Sequence, residues 1–180
     1  MNTPTHALIN WTAAKAVPVE SFPTSAVLLG SVAPDIPLYF LSIGGGLYYR
    51  FVKGEPVDRV GEILFQDLFY NDPWWVSLHN VLHSPTVLIA LLAGLYFSLG
   101  REAFAGSWWV WFCGSCLLHT LVDIPVHHDD GPLIFWPLNR TYRFASPVSY
   151  WDPAHYARIV MPLEGLLAVG LALRIWWTRS

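Results

Sequence analysis

The chain carries seven histidines in 180 residues, and most of them stand with aspartates in or beside its most apolar stretches. His119 and Asp123 lie four residues apart within residues 106–126. In a helix these positions share a face, so the imidazole and the carboxylate point the same way. Both are good ligands for Zn²⁺ and similar ions, and one helical turn lets both reach one ion. Ionisable groups are expensive to bury in an apolar helix and mark a functional site by default. His79 and His83 repeat the spacing without the glutamate that would supply a protease base. Asp35 sits at a helix break, Pro34-Asp35-Ile36-Pro37, and His6 opens the first helical segment. His127, His128, Asp129 and Asp130 follow the His119–Asp123 run directly.

These residues define an expected metal set of His6, Asp35, His79, His83, His119, Asp123, His127 and His128. It would hold one or more divalent ions, zinc in the first place and manganese in the second. Asp129 or Asp130 would serve as general base beside it. Each residue has a plainer reading. His119 and Asp123 could be a hydrogen-bonded pair tying helices together, and Asp35 could serve backbone groups freed by the prolines. Residues 127–130 could form a solvated acidic turn. Glu164 follows Pro162, where the helix dipole favours an acid, and His155 reads as surface. Cys113 and Cys116 lie inside an apolar helix without the strand–turn–helix context of a redox motif, so they read as buried thiols.

The elements that must position these groups are helices in lipid. The chain is 54% hydrophobic and 13% charged, about half the charge of an average soluble domain. Net charge is −3 with scattered Lys and Arg, which gives no nucleic-acid footprint. No signal peptide is visible in residues 1–17. Thr3 or Thr5 is the expected cap of a short helix ending near Ala16. Apolar runs follow at residues 25–43, 85–99, 107–126 and 162–177, the last closed by Trp176, Trp177 and Arg179. Gly44-Gly45-Gly46 is expected to end the first run, residues 47–70 to form a loop with a short helix, and Asp72-Pro73 to open a helix reaching His83. The result is a single all-α domain over residues 1–180, an integral membrane helical bundle of three to four apolar helices. Threading the runs back and forth brings His79, His83, Asp123, His127 and His128 to one membrane face. Independent segments thus converge on one polar His/Asp cluster.

Several of these motifs carry a resemblance. Thr5-His6, Gly30 before Pro34-Asp35-Ile36, His83-Ser84, and His119-x-x-x-Asp123 leading to Gly131-Pro-Leu-Ile-Phe-Trp136-Pro137 resemble the membrane-bound metal-dependent hydrolases regulated by the SOS repressor in bacteria. The resemblance reaches from the N-terminus to about Arg143. It implies a multi-pass protein of the bacterial inner membrane and a metal-dependent hydrolase. The order His6, Asp35, His79, His119-x-x-x-Asp123 and His127 or His128 also looks like zinc-dependent phospholipase C and P1-type nucleases. Their closing His-x-x-x-Glu motif is absent, since His155 and Glu164 are nine apart.

The expected function is hydrolysis of a phosphoester, lipid-like or small, through a metal-activated water, with membrane lipids as surroundings. The alternative is a non-catalytic membrane protein whose His/Asp site is structural or handles metal. A closed four-ligand site would mark the structural case, and an open coordination position the catalytic one.

Overall fold

The computed structural model describes residues 1–178, which fold as helices and connecting turns, with one isolated bridge between Leu133 and Arg143. Arg179, expected to flank the last apolar run, lies outside the described residues.

Helix α1 spans Thr3–Ala16 and stops where Pro18 restricts the residue before it. Its cap position is Asn2, not Thr3 or Thr5, and no side chain caps the helix. The reason is competition. Asn2 turns its amide to Glu164, and Thr3 donates to Asp35.

The first apolar run is bent. Helix α2 (Thr24–Val32) and helix α3 (Ile36–Leu47) meet at 43° across Ala33-Pro34-Asp35, as two prolines that donate no N–H would impose. The three glycines do not end α3, contrary to expectation. The helix continues through them into a π turn, Tyr48–Val52. Backbone groups in lipid must stay paired, so glycine alone is a weak terminator there. Gly45 instead permits close packing, because a Cβ there would lie 2.7 Å from Leu64 Cδ2 and 3.2 Å from Trp75 Cζ2.

Residues 47–70 are likewise mostly helical. Helix α4 (Val57–Glu62) passes through π-helical Ile63–Leu68 into α5 (Phe69–Asn71). Val60, Leu64 and Trp75 pack there with Leu38 and Leu41 in a small apolar core. Helix α6 (Pro73–Asn80) is capped by Asp72, whose carboxylate accepts from the Trp74 and Trp75 amides at 3.0 Å each. It ends three residues short of His83, which sits in a turn.

Helix α7 (Pro85–Phe104) runs past the expected end at Leu99, with a break at Gly100 (φ 71°). Helix α8 (Trp108–Asp123) closes in a 3₁₀ turn, Ile124–Val126. A long loop follows and is pinned back. Asn80 accepts from the Leu133 amide at 3.0 Å, and Thr86 donates to the Ile134 carbonyl at 2.7 Å. Helix α9 (Ala157–Trp177) begins five residues before the apolar run that opens at Pro162, and carries that proline inside.

Three stretches are long and apolar enough to cross a membrane: Pro85–Phe104, Trp108–Val126 and Ala157–Trp177. The bent pair Thr24–Val32 and Ile36–Val52 makes up to a fourth. About a third of the α8 stretch is buried, whereas little of α7 or α9 is, which makes α8 the central helix. It packs on α2, α7 and α1. Much of the interior around α8 is polar: His6, Asn10, Ser31, Asn80, His119 and Thr120 are buried, while Phe40, Phe97 and Leu166 are exposed. Such an arrangement is costly in water and natural in lipid, where apolar faces need no cover.

Candidate metal centre

Asp123 is the hub. It is the last residue of α8 and is 2% exposed. Its Oδ1 lies 2.9 Å from His6 Nε2 and 3.5 Å from His127 Nε2, and its Oδ2 lies 3.1 Å from His83 Nε2. The Met1 nitrogen also reaches Oδ1, at 2.7 Å. Four separate segments thus meet on one carboxylate: the start of α1, the turn after α6, the end of α8 and the loop beyond it.

His119 stands one turn above, fully buried, its ring stacked on His6 at 3.6 Å and edge-on to His83 at 5.0 Å between centroids. Its Nδ1 lies 2.8 Å from the Ser31 carbonyl oxygen. A carbonyl only accepts, so Nδ1 carries a proton, and Nε2 presents a lone pair whenever the ring is neutral. That lone pair faces two carboxylates, Asp35 Oδ1 at 3.4 Å and Asp123 Oδ2 at 3.3 Å, and has no hydrogen-bond partner. With the ring neutral, three acceptors pointed at one another in a buried place repel unless something positive, a proton or a metal ion, lies between them.

A metal ion fits that demand. Asp35, His83, His119 and Asp123 each offer one ligand atom, all within 4.8 Å of one another. Bonds of about 2.0–2.1 Å to a tetrahedral ion put ligand atoms about 3.3 Å apart. The His119 and His83 contacts to the carboxylates, at 3.1–3.4 Å, are of that size. The Nδ1–H bond to the Ser31 carbonyl is the usual outer support that fixes a ligating imidazole. Thr3 does the same for Asp35, its hydroxyl 2.5 Å from Oδ2, and also lies 2.7 Å from the Tyr39 hydroxyl.

Burial holds the histidines outside the spans in the form a metal needs. It lowers the pKa of His6 and lowers that of His79 well below the ordinary value. It pushes His83 down to about 4 against the opposing pull of Asp123. His127 moves the other way: burial disfavours its charge, but the carboxylates of Asp123 and Asp130 outweigh that and raise its pKa.

The expected residues are distributed as follows. Asp35, His83, His119 and Asp123 form the four-atom group. His6 touches Asp123 from behind. His79 stacks edge-on to His83 at 4.9 Å and lines the adjoining cavity. His127 lies between Asp123 and Asp130, its Nδ1 3.0 Å from Asp130 Oδ1 but off the hydrogen-bond direction. His128 is not brought to the cluster. Its Nδ1 lies 2.6 Å from the Ser146 carbonyl oxygen and its ring stacks on His155 at 3.5 Å. Asp129 is exposed, and Asp130 accepts from the Trp151 indole at 2.7 Å. Both line the cavity. The partners not foreseen are Ser31 and Thr3, and Glu164, read as an acid favoured by the helix dipole, has a structural contact instead. Glu164 is buried and accepts from the Asn2 amide at 2.8 Å, which seats the start of α1 against α9. A lone acid inside an apolar run was its one visible signal.

The cluster opens into a cavity of about 600 Å³. Its lining includes Asp35, His83 and Asp123 together with the apolar side chains of Leu38, Phe65 and Phe69. Ligands are therefore within reach of a molecule with a polar and an apolar end.

No curated protein and no solved structure matches the chain. A family model does, over residues 1–179. That match and the apolar spans make this a multi-pass inner membrane protein, and the chain belongs to the YdjM inner membrane protein family.

Proposed function

We propose that the chain is a membrane-embedded metal-dependent hydrolase acting on a phosphoester. The observation that carries the reading is the bare Nε2 of His119, aimed at Asp35 and Asp123 beside an open cavity. A divalent ion, zinc or manganese, would supply Lewis acidity there and bring the pKa of a bound water near neutrality.

The protein's own groups would do the rest. Asp35, His83, His119 and Asp123 hold the ion, and His6 and the Ser31 carbonyl orient two of these ligands. Asp129 or Asp130, on the cavity wall, would accept the proton. Asp130 acts with His127, 3.0 Å away. Leu38, Phe65 and Phe69 shield the site and receive the apolar part of a lipid-like substrate.

A second reading has its own support. The bonds from His6 and His83 to Asp123 tie α1 and the turn after α6 to α8, as a structural or metal-handling site would. One experiment separates the two. Purified protein is stripped with chelator, reloaded with Zn²⁺ or Mn²⁺, and assayed on phosphomonoester, phosphodiester and phospholipid panels. The hydrolase reading requires turnover that is lost with the metal and returns with it, and no metal binding by His119→Ala. Folded, metal-loaded protein that turns over none of the panels would leave the structural or metal-handling role.

A further inference from the structure

A second cavity lies away from the cluster. It is an open crevice of about 440 Å³ walled by Ala13 of α1, Val27 of α2, Leu92 of α7, and Val110, Gly114 and Leu118 of α8. Along α8 it occupies residues 110–118, ahead of His119 and Asp123. At 1.5 Å per residue that stretch covers about 12 Å, most of one leaflet of a hydrocarbon core about 30 Å thick. Its walls include two of the stretches long and apolar enough to cross a membrane.

The wall chemistry selects the occupant. Three side chains with polar atoms line the crevice, Asn10, Trp111 and Ser115, and each already has a partner; the Trp111 indole donates to the Ala105 carbonyl at 2.8 Å. The Ser115 hydroxyl lies 2.7 Å from both the Asn10 side-chain oxygen and the Val27 carbonyl, and the Asn10 amide donates to the His6 carbonyl at 3.0 Å. Little polar capacity is left for water or a polar ligand, and ordered water needs two to four polar partners. A helix from another subunit is about 10–12 Å wide, too thick for a crevice of about 440 Å³. A Cβ added at Gly114 meets nothing within 4 Å, so the space is open to a thin apolar chain. Lys15, Glu20, Arg101 and Glu102 lie near the chain connections at this end, and their mixed signs select no headgroup.

We propose that this crevice binds an acyl chain of a bilayer phospholipid, in the leaflet away from the His/Asp cluster. The site is independent of any chemistry at that cluster. It wedges α1 against α8, the two helices that carry His6, His119 and Asp123.

The test uses the full chain in vesicles of phosphatidylethanolamine and phosphatidylglycerol with a trace of phospholipid bearing a photoactivatable acyl chain. Labelled peptides are mapped after irradiation. The expected result is label concentrated on residues 110–118, several-fold above the exposed Leu163, Leu166, Leu167 and Val169 of α9. Gly114→Leu, which fills the space, should cut that label several-fold and leave α9 labelling and metal content unchanged. Should Gly114→Leu fail to fold, Ala13→Leu fills the same space from the opposite wall. Labelling of 110–118 no greater than that of α9, or insensitive to the filling variant that folds, overturns the proposal.

Discussion

The Ser31 carbonyl accepts from His119 Nδ1 because the bend beside it leaves that carbonyl free. In an unbroken helix it would accept from the amide of residue 35, four positions on. Here the Asp35 amide bonds instead to the Val32 carbonyl at 3.2 Å. One distortion thus does two things. It places the Asp35 carboxylate beside His119, and it releases the acceptor that sets the His119 tautomer.

Pro34→Ala should therefore weaken metal binding without touching a ligand. A continuous α2–α3 helix would reclaim the Ser31 carbonyl and let the imidazole turn. Loss of such outer support typically costs about 10–100-fold in metal affinity. Competition titration of Zn²⁺ against a chromogenic chelator would measure it. Affinity equal to the parent protein would show that the bend does not orient His119.

Asp123→Ala should remove metal and turnover together, since four segments lose their common carboxylate. Asp129→Asn or Asp130→Asn should leave metal content unchanged while slowing turnover by about 10²–10⁴-fold, the usual contribution of a general base. Elemental analysis beside the activity assay checks both. Metal loss in the Asp129 or Asp130 variants would assign those residues to binding.

Stability should fall as the solution is acidified, from about pH 6.5 toward pH 4. An unfolded histidine titrates near 6.5, whereas folded His83 titrates at about 4, and His6 and His79 are lowered too. Above the upper limit both states are neutral and these groups add no pH dependence. Within the window the unfolded chain takes up protons that the folded one refuses, so folding weakens. Protons also compete with metal for the same nitrogens, so affinity for Zn²⁺ should fall over the same range. Melting of the metal-free protein in detergent, followed against pH, tests the first part; a flat Tm across the window would contradict it.

Gly30→Val should destabilise the α2–α8 contact. A Cβ at residue 30 would collide with the Phe112 carbonyl oxygen and lie 2.8 Å from Ser115 Cβ. Overpacking of this kind costs about 1–3 kcal/mol. A lowered Tm with metal stoichiometry retained is the expected outcome, and an unchanged Tm would mean the helices can separate freely there.

Much of the site was legible because i, i+4 spacing on a helix is a geometric statement. His119 and Asp123 had to share a face, and a proline-flanked Asp35 had to lie at a break. The helix boundaries were less legible. Glycine at 44–46 and at 100, and proline at 162, are strong stops in water, but lipid removes the alternative hydrogen-bond partners that make stopping cheap. His128 was misplaced for another reason. It adjoins His127 in sequence, but after the 3₁₀ turn it points toward Ser146 and His155. The Ser31 carbonyl could not be read at all, because a backbone acceptor carries no residue-type signature.

The polar interior and apolar exterior also dictate how this chain can change. A substitution on the outer faces of α7 or α9 swaps one greasy side chain for another and disturbs little beyond contacts with fluid lipid. A substitution at Asn10, Ser31, Ser115 or Asn80 breaks a side-chain bond that has no solvent to replace it. Related chains should therefore diverge from the outside inward, keeping small hydroxyl and amide residues long after their bulky apolar neighbours have been exchanged.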